Sequence, residues 1–400
     1  MGPGAERPEG AARGLEWACR GGYFCLGLVA VVVPAILPAV IAAFDLRLSE
    51  AALLFPARSV GGLLTAVGAG VLADRADRKA FVLAAALALA LCLGGAAVAS
   101  DWAVVLAAFL VAGLAQAALS TLLNAVVADA DPSRRARALN ALHGSYSAGA
   151  LLGPLAFTGL GLSSGAWRGP LAWSAALWTG FGIAAAAVRF PSAAQSAERD
   201  PRPRSTGGGA GPLLWALAAV AFIYNGVAWS LLGWIKVFVE MKGEGMDWWS
   251  SAMISIFYLG LTTGRFACAH IADRLGHART ILWLAGAAAP LYPLSLLPAS
   301  PAWIAAGAFT LGLALSGLYP VALAAATARF PQHSGTVTGT LAAAMAAGGM
   351  LCPWWTGIIA EIGGMSLALQ LNGSLLWVLV GIGVWLVHQE IAVKAVARGR

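Results

Sequence analysis

Charge is scarce in this chain. Only 11% of its 400 residues are Asp, Glu, Lys or Arg, against 60% hydrophobic, whereas soluble domains carry about 25% charge. That shortage excludes an ordinary water-soluble fold. Carboxylates are the scarcest where they would matter most. All eighteen Asp and Glu fall in loops or near the ends of apolar runs, so no carboxylate proton relay is visible within them. No Gly-x-x-x-x-Gly-Lys-Ser/Thr loop occurs, which excludes ATP as a direct energy source. The five cysteines, Cys19, Cys25, Cys92, Cys268 and Cys352, are scattered without metal-ligand spacing, so neither disulfide nor metal is expected. The apolar runs hold no nucleophile and base pair and no His/carboxylate cluster, so no catalytic residue is assigned and an enzyme is not expected.

What is present is apolar sequence in membrane-length windows. Runs of roughly 20 residues, enough to cross about 30 Å of hydrocarbon, fit twelve times. They begin near Tyr23, Ala51, Ala80, Trp102, Ala136, Pro170, Pro212, Ser250, Thr280, Ala302, Gly335 and Leu367. With the N-terminus inside, the tails and inner loops hold 19 Lys and Arg and the outer loops hold four, Arg47, Arg168, Lys236 and Lys242. This bias predicts that both termini are cytoplasmic. The net charge of +7 is then mostly topology signal, and gives no reason to expect nucleic-acid binding. The first apolar run contains Pro34 and Pro38 and lacks a small-residue cleavage site, so it is expected to stay as a helix. Residues 1–20 read as polar, glycine-rich and disordered. The Ala, Gly and Arg bias suggests a bacterial inner membrane.

The chain also repeats. Ala73-Asp74-Arg75-Ala76-Asp77-Arg78-Lys79 has a near copy, Ala272-Asp273-Arg274-Leu275-Gly276-His277, 199 residues later. The same offset aligns Gly27 with Gly226, Gly61 with Gly260, Gly113 with Gly312, Pro132 with Pro331, Gly149 with Gly348 and Pro154 with Pro353. Two homologous halves follow. The expected layout is a tail at 1–22, six helices at 23–190, a polar linker at 191–211, six helices at 212–388 and a basic tail at 389–400.

Within the spans, polar side chains are functional candidates because hydrocarbon makes them costly. Arg58 stands out; substrate contact competes with an ion pair to Asp45, Glu50 or an acid of the 240–247 loop. Gln116, Ser120 and Asn124 recur at steps of four, on one side of a helix, as do Asn140, His143 and Ser147. His143 is either a proton carrier or a neutral hydrogen-bonding group. Gly149 and Gly153 read as close-packing positions. In the second half, Gly226 permits a helix break at mid-membrane, with Asn225 and Trp229 one turn apart beside it. Tyr258, Tyr319, Trp354 and Trp355 would complete a lining of amides and aromatics. Such a lining suits a neutral polyhydroxylated solute.

Twelve spans, a parallel six-plus-six repeat, a central linker and the Gly-x-x-x-Asp-Arg-x-Gly-Arg-Arg/Lys pattern together resemble the major facilitator superfamily. Here the pattern reads Gly70, Asp74, Arg75, Asp77, Arg78, Lys79, with Asp77 in place of glycine. The second copy keeps Asp273, Arg274 and Gly276. The stretches Ala57-Arg58-Ser59-Val60-Gly61-Gly62-Leu63-Leu64, Leu139-Asn140-Ala141-Leu142-His143-Gly144, Gly149-Ala150-Leu151-Leu152-Gly153-Pro154 and Gly264-Arg265 are similar to the fucose permease and sodium-dependent glucose transporter-like branch. The resemblance implies an all-α, twelve-helix fold that moves a small molecule by alternating access, expected as a monomer in the bilayer.

On that reading Arg58, Gln116, Asn124, Asn140, His143, Asn225, Trp229, Tyr258 and Tyr319 bind substrate. Gly70, Asp74, Arg75, Arg78, Arg265, Asp273 and Arg274 gate, with Asp74 pairing to a helix N-terminus or a basic group; the alternative is that these charges only set topology and solubilise a turn. A sugar or polyol is the expected solute. Coupling to a proton, to sodium, or to no ion stays open. Multidrug or metabolite efflux, organic-anion transport, and a lipid-handling or receptor protein on the same scaffold are the alternatives.

Overall fold

The computed structural model describes residues 9–61, 63–64, 77–130, 135–160, 167–190, 211–243, 247–297, 300–330 and 333–398. Among them the regular structure is helical, with no strand. The helices are α1 (Glu9–Ala30), α2 (Val32–Phe44), α3 (Leu48–Ala51), α4 (54–61), α5 (Arg78–Val98), α6 (Trp102–Ala130), α7 (Arg135–Gly159) and α8 (Arg168–Ala186). After the linker come α9 (Pro212–Glu240), α10 (Asp247–Leu275), α11 (His277–Leu296), α12 (Pro301–Leu315), α13 (Leu318–Arg329), α14 (Ser334–Gly363) and α15 (Met365–Arg398). Eleven of the twelve expected onsets fall within three residues of a helix start. The exception is the first. α1 begins at Glu9, not near Tyr23, because Leu15 and Cys19, one turn apart, are buried at 3% and 0% exposure. Glycine-rich composition hid that apolar face, and the expected disorder of residues 1–20 does not hold for residues 9–20.

Two spans are interrupted for one reason. Proline has no N–H to give the carbonyl four residues back. Pro34 leaves a break at Val31, between α1 and α2, and Pro320 a break at Ser316 and Gly317, between α12 and α13. Gly226 makes no such break. α9 runs unbroken from Pro212 to Glu240 with Gly226 buried. A side chain there would press on Cys352 and approach the Gly348 carbonyl, so this glycine is a packing position.

The repeated glycines share that explanation. A Cβ on Gly27 would collide with the Tyr146 carbonyl, and one on Gly149 with the Phe24 carbonyl; this is the α1–α7 crossing. The partners at the 199-residue offset do the same work between α9 and α14, where a Cβ on Gly348 would meet the Phe222 carbonyl. Small residues let membrane helices approach backbone to backbone, where dispersion and weak hydrogen bonding replace the hydrophobic driving force.

The chain divides into two compact units. One comprises residues 1–32 and 60–203, the other residues 33–59 and 204–400. The second unit therefore takes in α2, α3 and most of α4 from the first half of the sequence. Within it the Lys236 ammonium, buried at 4% exposure, donates to the Ala35 carbonyl at 2.8 Å and lies 3.8 Å from Glu240 Oε1. Lys236 is thus an intrahelical, buried group and not a loop charge. The Trp234 indole N–H donates to the Pro353 carbonyl at 2.8 Å, and its ring lies against Phe55 at 5.8 Å. The Ser49 N–H donates to Glu361 Oε2 at 3.1 Å, with Arg47 3.8 Å from the same carboxylate. Arg47 also donates through its backbone to Glu50 at 2.9 Å; its side chain and backbone hydrogen bonds hold that carboxyl below its ordinary pKa.

Candidate functional site

In the first unit, three helices bring polar groups to one place. The Tyr23 hydroxyl on α1 donates to the Ser120 carbonyl at 3.0 Å and lies 3.1 Å from Ser120 Oγ on α6. The Asn124 amide donates to the Tyr23 hydroxyl and, at 3.0 Å, to the Ser120 carbonyl. His143 on α7 is exposed and meets the Tyr23 ring edge to face at 5.4 Å and 88°. Gln116, one turn from Ser120, is half-buried. Ser120 and Asn124 therefore share a face, as their spacing implies, and His143 joins them through Tyr23. In the sequence Tyr23 marks only the start of a span, since a tyrosine at the edge of an apolar run carries no separate signal. Asn140 lies in α7, and its side chain falls outside the described residues.

The second unit holds the other cluster. The Arg58 guanidinium sits over the Trp229 ring, 5.3 Å from its centroid. Such a contact contributes about 0.5–2 kcal/mol as water is excluded. Asn225, one turn before Trp229, donates to the Met345 carbonyl at 2.7 Å, and a Cβ on Gly349 would press on the Asn225 amide and touch Trp229. Gly349 is the floor under both side chains. Tyr319 stacks nearly parallel on Tyr224 at 6.4 Å and 16°, and Tyr258 is buried edge-on to Phe257 at 6.1 Å. Arg58, Asn225 and Trp229 thus form one group.

Trp354 is half-buried. Trp355 donates its indole N–H to Asn372 at 2.9 Å, and the fully buried Asn372 donates to Thr356. This is a tie between α14 and α15, so Trp355 serves packing there.

Gly70, Asp74 and Arg75 lie outside the described residues, as does the side chain of Asp273. Arg265 and Arg274 are exposed on α10, Arg274 in its last turn. Arg78, at the first position of α5, is buried at 4% exposure. Asp77, the departure from the family pattern, is the N-cap of α5: its carboxylate accepts from Lys79 N at 3.0 Å and Ala80 N at 3.4 Å. Lys79 Nζ reaches the Ala186 carbonyl at the end of α8, at 2.6 Å, where the helix dipole favours a cation. Asp77→Ala should weaken the first turn of α5 by about 1 kcal/mol. Faster amide exchange at Lys79 and Ala80 would register it; unchanged exchange would deny the cap. Arg168 is a cap as well, donating to the carbonyls of Ala97 and Ala99 at 3.0 and 2.7 Å.

A helical, multi-pass membrane chain with an internal repeat, and with amides, hydroxyls and aromatics gathered inside its spans, is built to carry a solute. The chain belongs to the Major Facilitator Superfamily, whose family model matches residues 21–301 and 251–400. It is a membrane transporter of small molecules. Uncharacterized MFS-type transporter YfkL of Bacillus subtilis (strain 168) is 24% identical over 361 residues, covering 86% of this chain and 88% of YfkL. Glucose/mannose transporter GlcP of the same organism is 22% identical over 165 residues, 41% of this chain and 40% of GlcP. The crystal structure of nucleoside transporter NupG matches with a TM-score of 0.75 at 11% identity, over 92% of this chain and 98% of that one. That structural likeness concerns the fold.

Proposed function

We propose that the chain carries a small neutral polyhydroxylated solute, a sugar or polyol, across a bacterial inner membrane by alternating access, with both termini cytoplasmic. The cluster of Arg58, Asn225 and Trp229 carries this reading. A sugar offers hydroxyls that donate and accept, and a C–H face; an amide, a guanidinium and an indole complement all three. Tyr23, Ser120 and Asn124 add neutral hydroxyl and amide groups of the same character. The partial likeness to a glucose/mannose transporter supports the choice.

Arg58, Gln116, Asn124, Asn140, His143, Asn225, Trp229, Tyr258 and Tyr319 are the proposed substrate residues. Gly70, Asp74, Arg75, Arg78, Arg265, Asp273 and Arg274 are the proposed gating residues. His143, edge-on to Tyr23, is the candidate for proton coupling, with sodium coupling or uniport as the other arms. Organic-anion transport is the second reading, favoured by a guanidinium that only donates.

Uptake into vesicles reconstituted with the purified chain tests this, using labelled hexoses, polyols and carboxylates with and without sodium and pH gradients. Hexose or polyol uptake is expected, with Trp229→Ala raising KM roughly tenfold, about 1.4 kcal/mol. Arg58→Gln keeps a hydrogen-bonding amide and should cost a neutral solute only a few-fold. Abolished carboxylate uptake in Arg58→Gln, with no sugar uptake in the unaltered chain, would replace the sugar reading with the anion one.

A further inference from the structure

We infer that Gly349 is a specificity-determining position of the second cluster: it lets the Asn225 amide lie with its nitrogen on α14 and its oxygen turned to the solute, so that the site selects a hydroxyl there. This rests on the sugar or polyol reading above. A Cβ at Gly349 would press on Asn225 Nδ2 and stand 3.3 Å from Trp229 Cδ1, with Asn225 Cγ at 3.5 Å. The amide nitrogen therefore occupies the space that any other residue would fill. From there it donates to the Met345 carbonyl at 2.7 Å. A carbonyl only accepts, and that fixes the amide, with Nδ2 on α14 and Oδ1 directed away from it. The same two side chains stand where α9 is accessible. Between Ala221 and Val239 every residue of α9 is buried save Phe222, Asn225 and Trp229, which at steps of three and four share one face.

In the group of Arg58, Asn225 and Trp229, the guanidinium and the indole N–H only donate. Asn225 Oδ1 is then the one side-chain acceptor that the three supply. A hydroxyl both donates and accepts, so a polyol can satisfy both kinds of group at once, whereas a carboxylate would meet the repulsion of Oδ1. The repeat separates this glycine from those that serve packing. Gly226 and Gly348, at the α9–α14 crossing, have glycine counterparts in the first half at Gly27 and Gly149. At the same offset of 199 residues, Asn225 corresponds to Leu26 and Gly349 to Ala150. The α1–α7 crossing thus forms without either residue, and helix packing does not require Gly349. The glycine occurs in the half that has the amide, and alanine replaces it in the half that does not.

The test compares the unaltered chain with Gly349→Ala, Asn225→Ala, the double variant, and Gly339→Ala, whose methyl meets open space on the same helix. Each is reconstituted in vesicles and given labelled glucose, mannitol, lactate and the monodeoxy forms of glucose. The unaltered chain and Gly339→Ala should prefer glucose over one of the monodeoxy forms by about tenfold in kcat/KM, the worth of one neutral hydrogen bond. Gly349→Ala should bring that ratio below about threefold, through a higher KM for glucose at an unchanged kcat. Asn225→Ala should do the same, and the double variant should go no further, since the two residues act as one. The new methyl displaces the end of a flexible side chain, so Gly349→Ala should stay folded, with a midpoint above that of Gly348→Ala, whose methyl meets the Phe222 carbonyl. Methionine labelled with carbon-13 at its carbonyl gives a readout without solute. The infrared band of the Met345 carbonyl should move to higher frequency in Gly349→Ala and in Asn225→Ala alike, as the bond from the side chain is lost. Undiminished discrimination in Gly349→Ala, or additive losses in the double variant, would overturn the inference and leave the sugar reading standing. Absence of glucose and mannitol uptake by the unaltered chain would remove the sugar reading. In that case a band that still moved would keep Gly349 as the residue that orients Asn225, and an unmoved band would remove that role as well.

Discussion

Gly348→Ala should lower the thermal unfolding midpoint by roughly 6–12 °C, while Gly339→Ala on the same helix should leave it unchanged or raise it. The two substitutions are chemically identical, and only the surroundings differ. At Gly348 the new methyl would collide with the Phe222 carbonyl, whereas at Gly339 it would meet nothing within 4 Å. Overpacking costs about 1–3 kcal/mol, and a clash with backbone, which cannot rotate away, sits at the top of that range. About 3 kcal/mol corresponds to the stated shift for a unit of this size. In open helix, alanine gains up to about 1 kcal/mol over glycine. Gly149→Ala, facing the Phe24 carbonyl, should behave like Gly348→Ala. Differential scanning fluorimetry on detergent-purified protein decides it; equal midpoints for positions 339 and 348 would remove the close approach as the reason for the repeated glycines.

Lys236→Met should speed amide exchange across residues 33–51 by about tenfold or more, with little change in α11 and α15. Methionine keeps the volume and removes the charge-assisted bond to the Ala35 carbonyl. Such bonds contribute about 1.5–3 kcal/mol, and 1.4 kcal/mol is tenfold in an opening equilibrium. Glu240 keeps the Ser250 hydroxyl, 3.0 Å away, so the effect should centre on α2 and α3. On the proposed alternating-access reading, which requires contacts to form and break, this residue is also expected to change the turnover rate while sparing KM for the solute. Hydrogen exchange in residues 33–51 equal to that of the unaltered chain would show that the ammonium holds nothing there.

Much of this architecture was legible from residues alone. Onsets at Trp102 and Pro212 coincide with the helix starts, because a run of apolar residues long enough to cross hydrocarbon has no other way to satisfy its backbone than as a helix. The 199-residue repeat was legible because a glycine that must admit a backbone oxygen tolerates no other residue, as at Gly27, Gly149 and Gly348. The shared face of Ser120 and Asn124 followed from helical geometry.

The remainder depended on which surfaces meet. Gly226 carried the same letter whether it broke a helix or packed one, and only the neighbouring Cys352 and Gly348 distinguish the two. Lys236 looked like a loop charge because it stands one turn from the end of its apolar run; its burial comes from α2, some two hundred residues earlier. For Arg58 the sequence left substrate contact and an ion pair both open, and the structure lays its guanidinium over Trp229. The sequence by itself determined a membrane-spanning helical repeat and the polar groups within it, since apolar length and helical period are local properties. Only the tertiary structure decided that residues 33–59 belong with the second unit and that Tyr23 joins Asn124, because contacts between distant segments are set by shape and packing that no local pattern encodes.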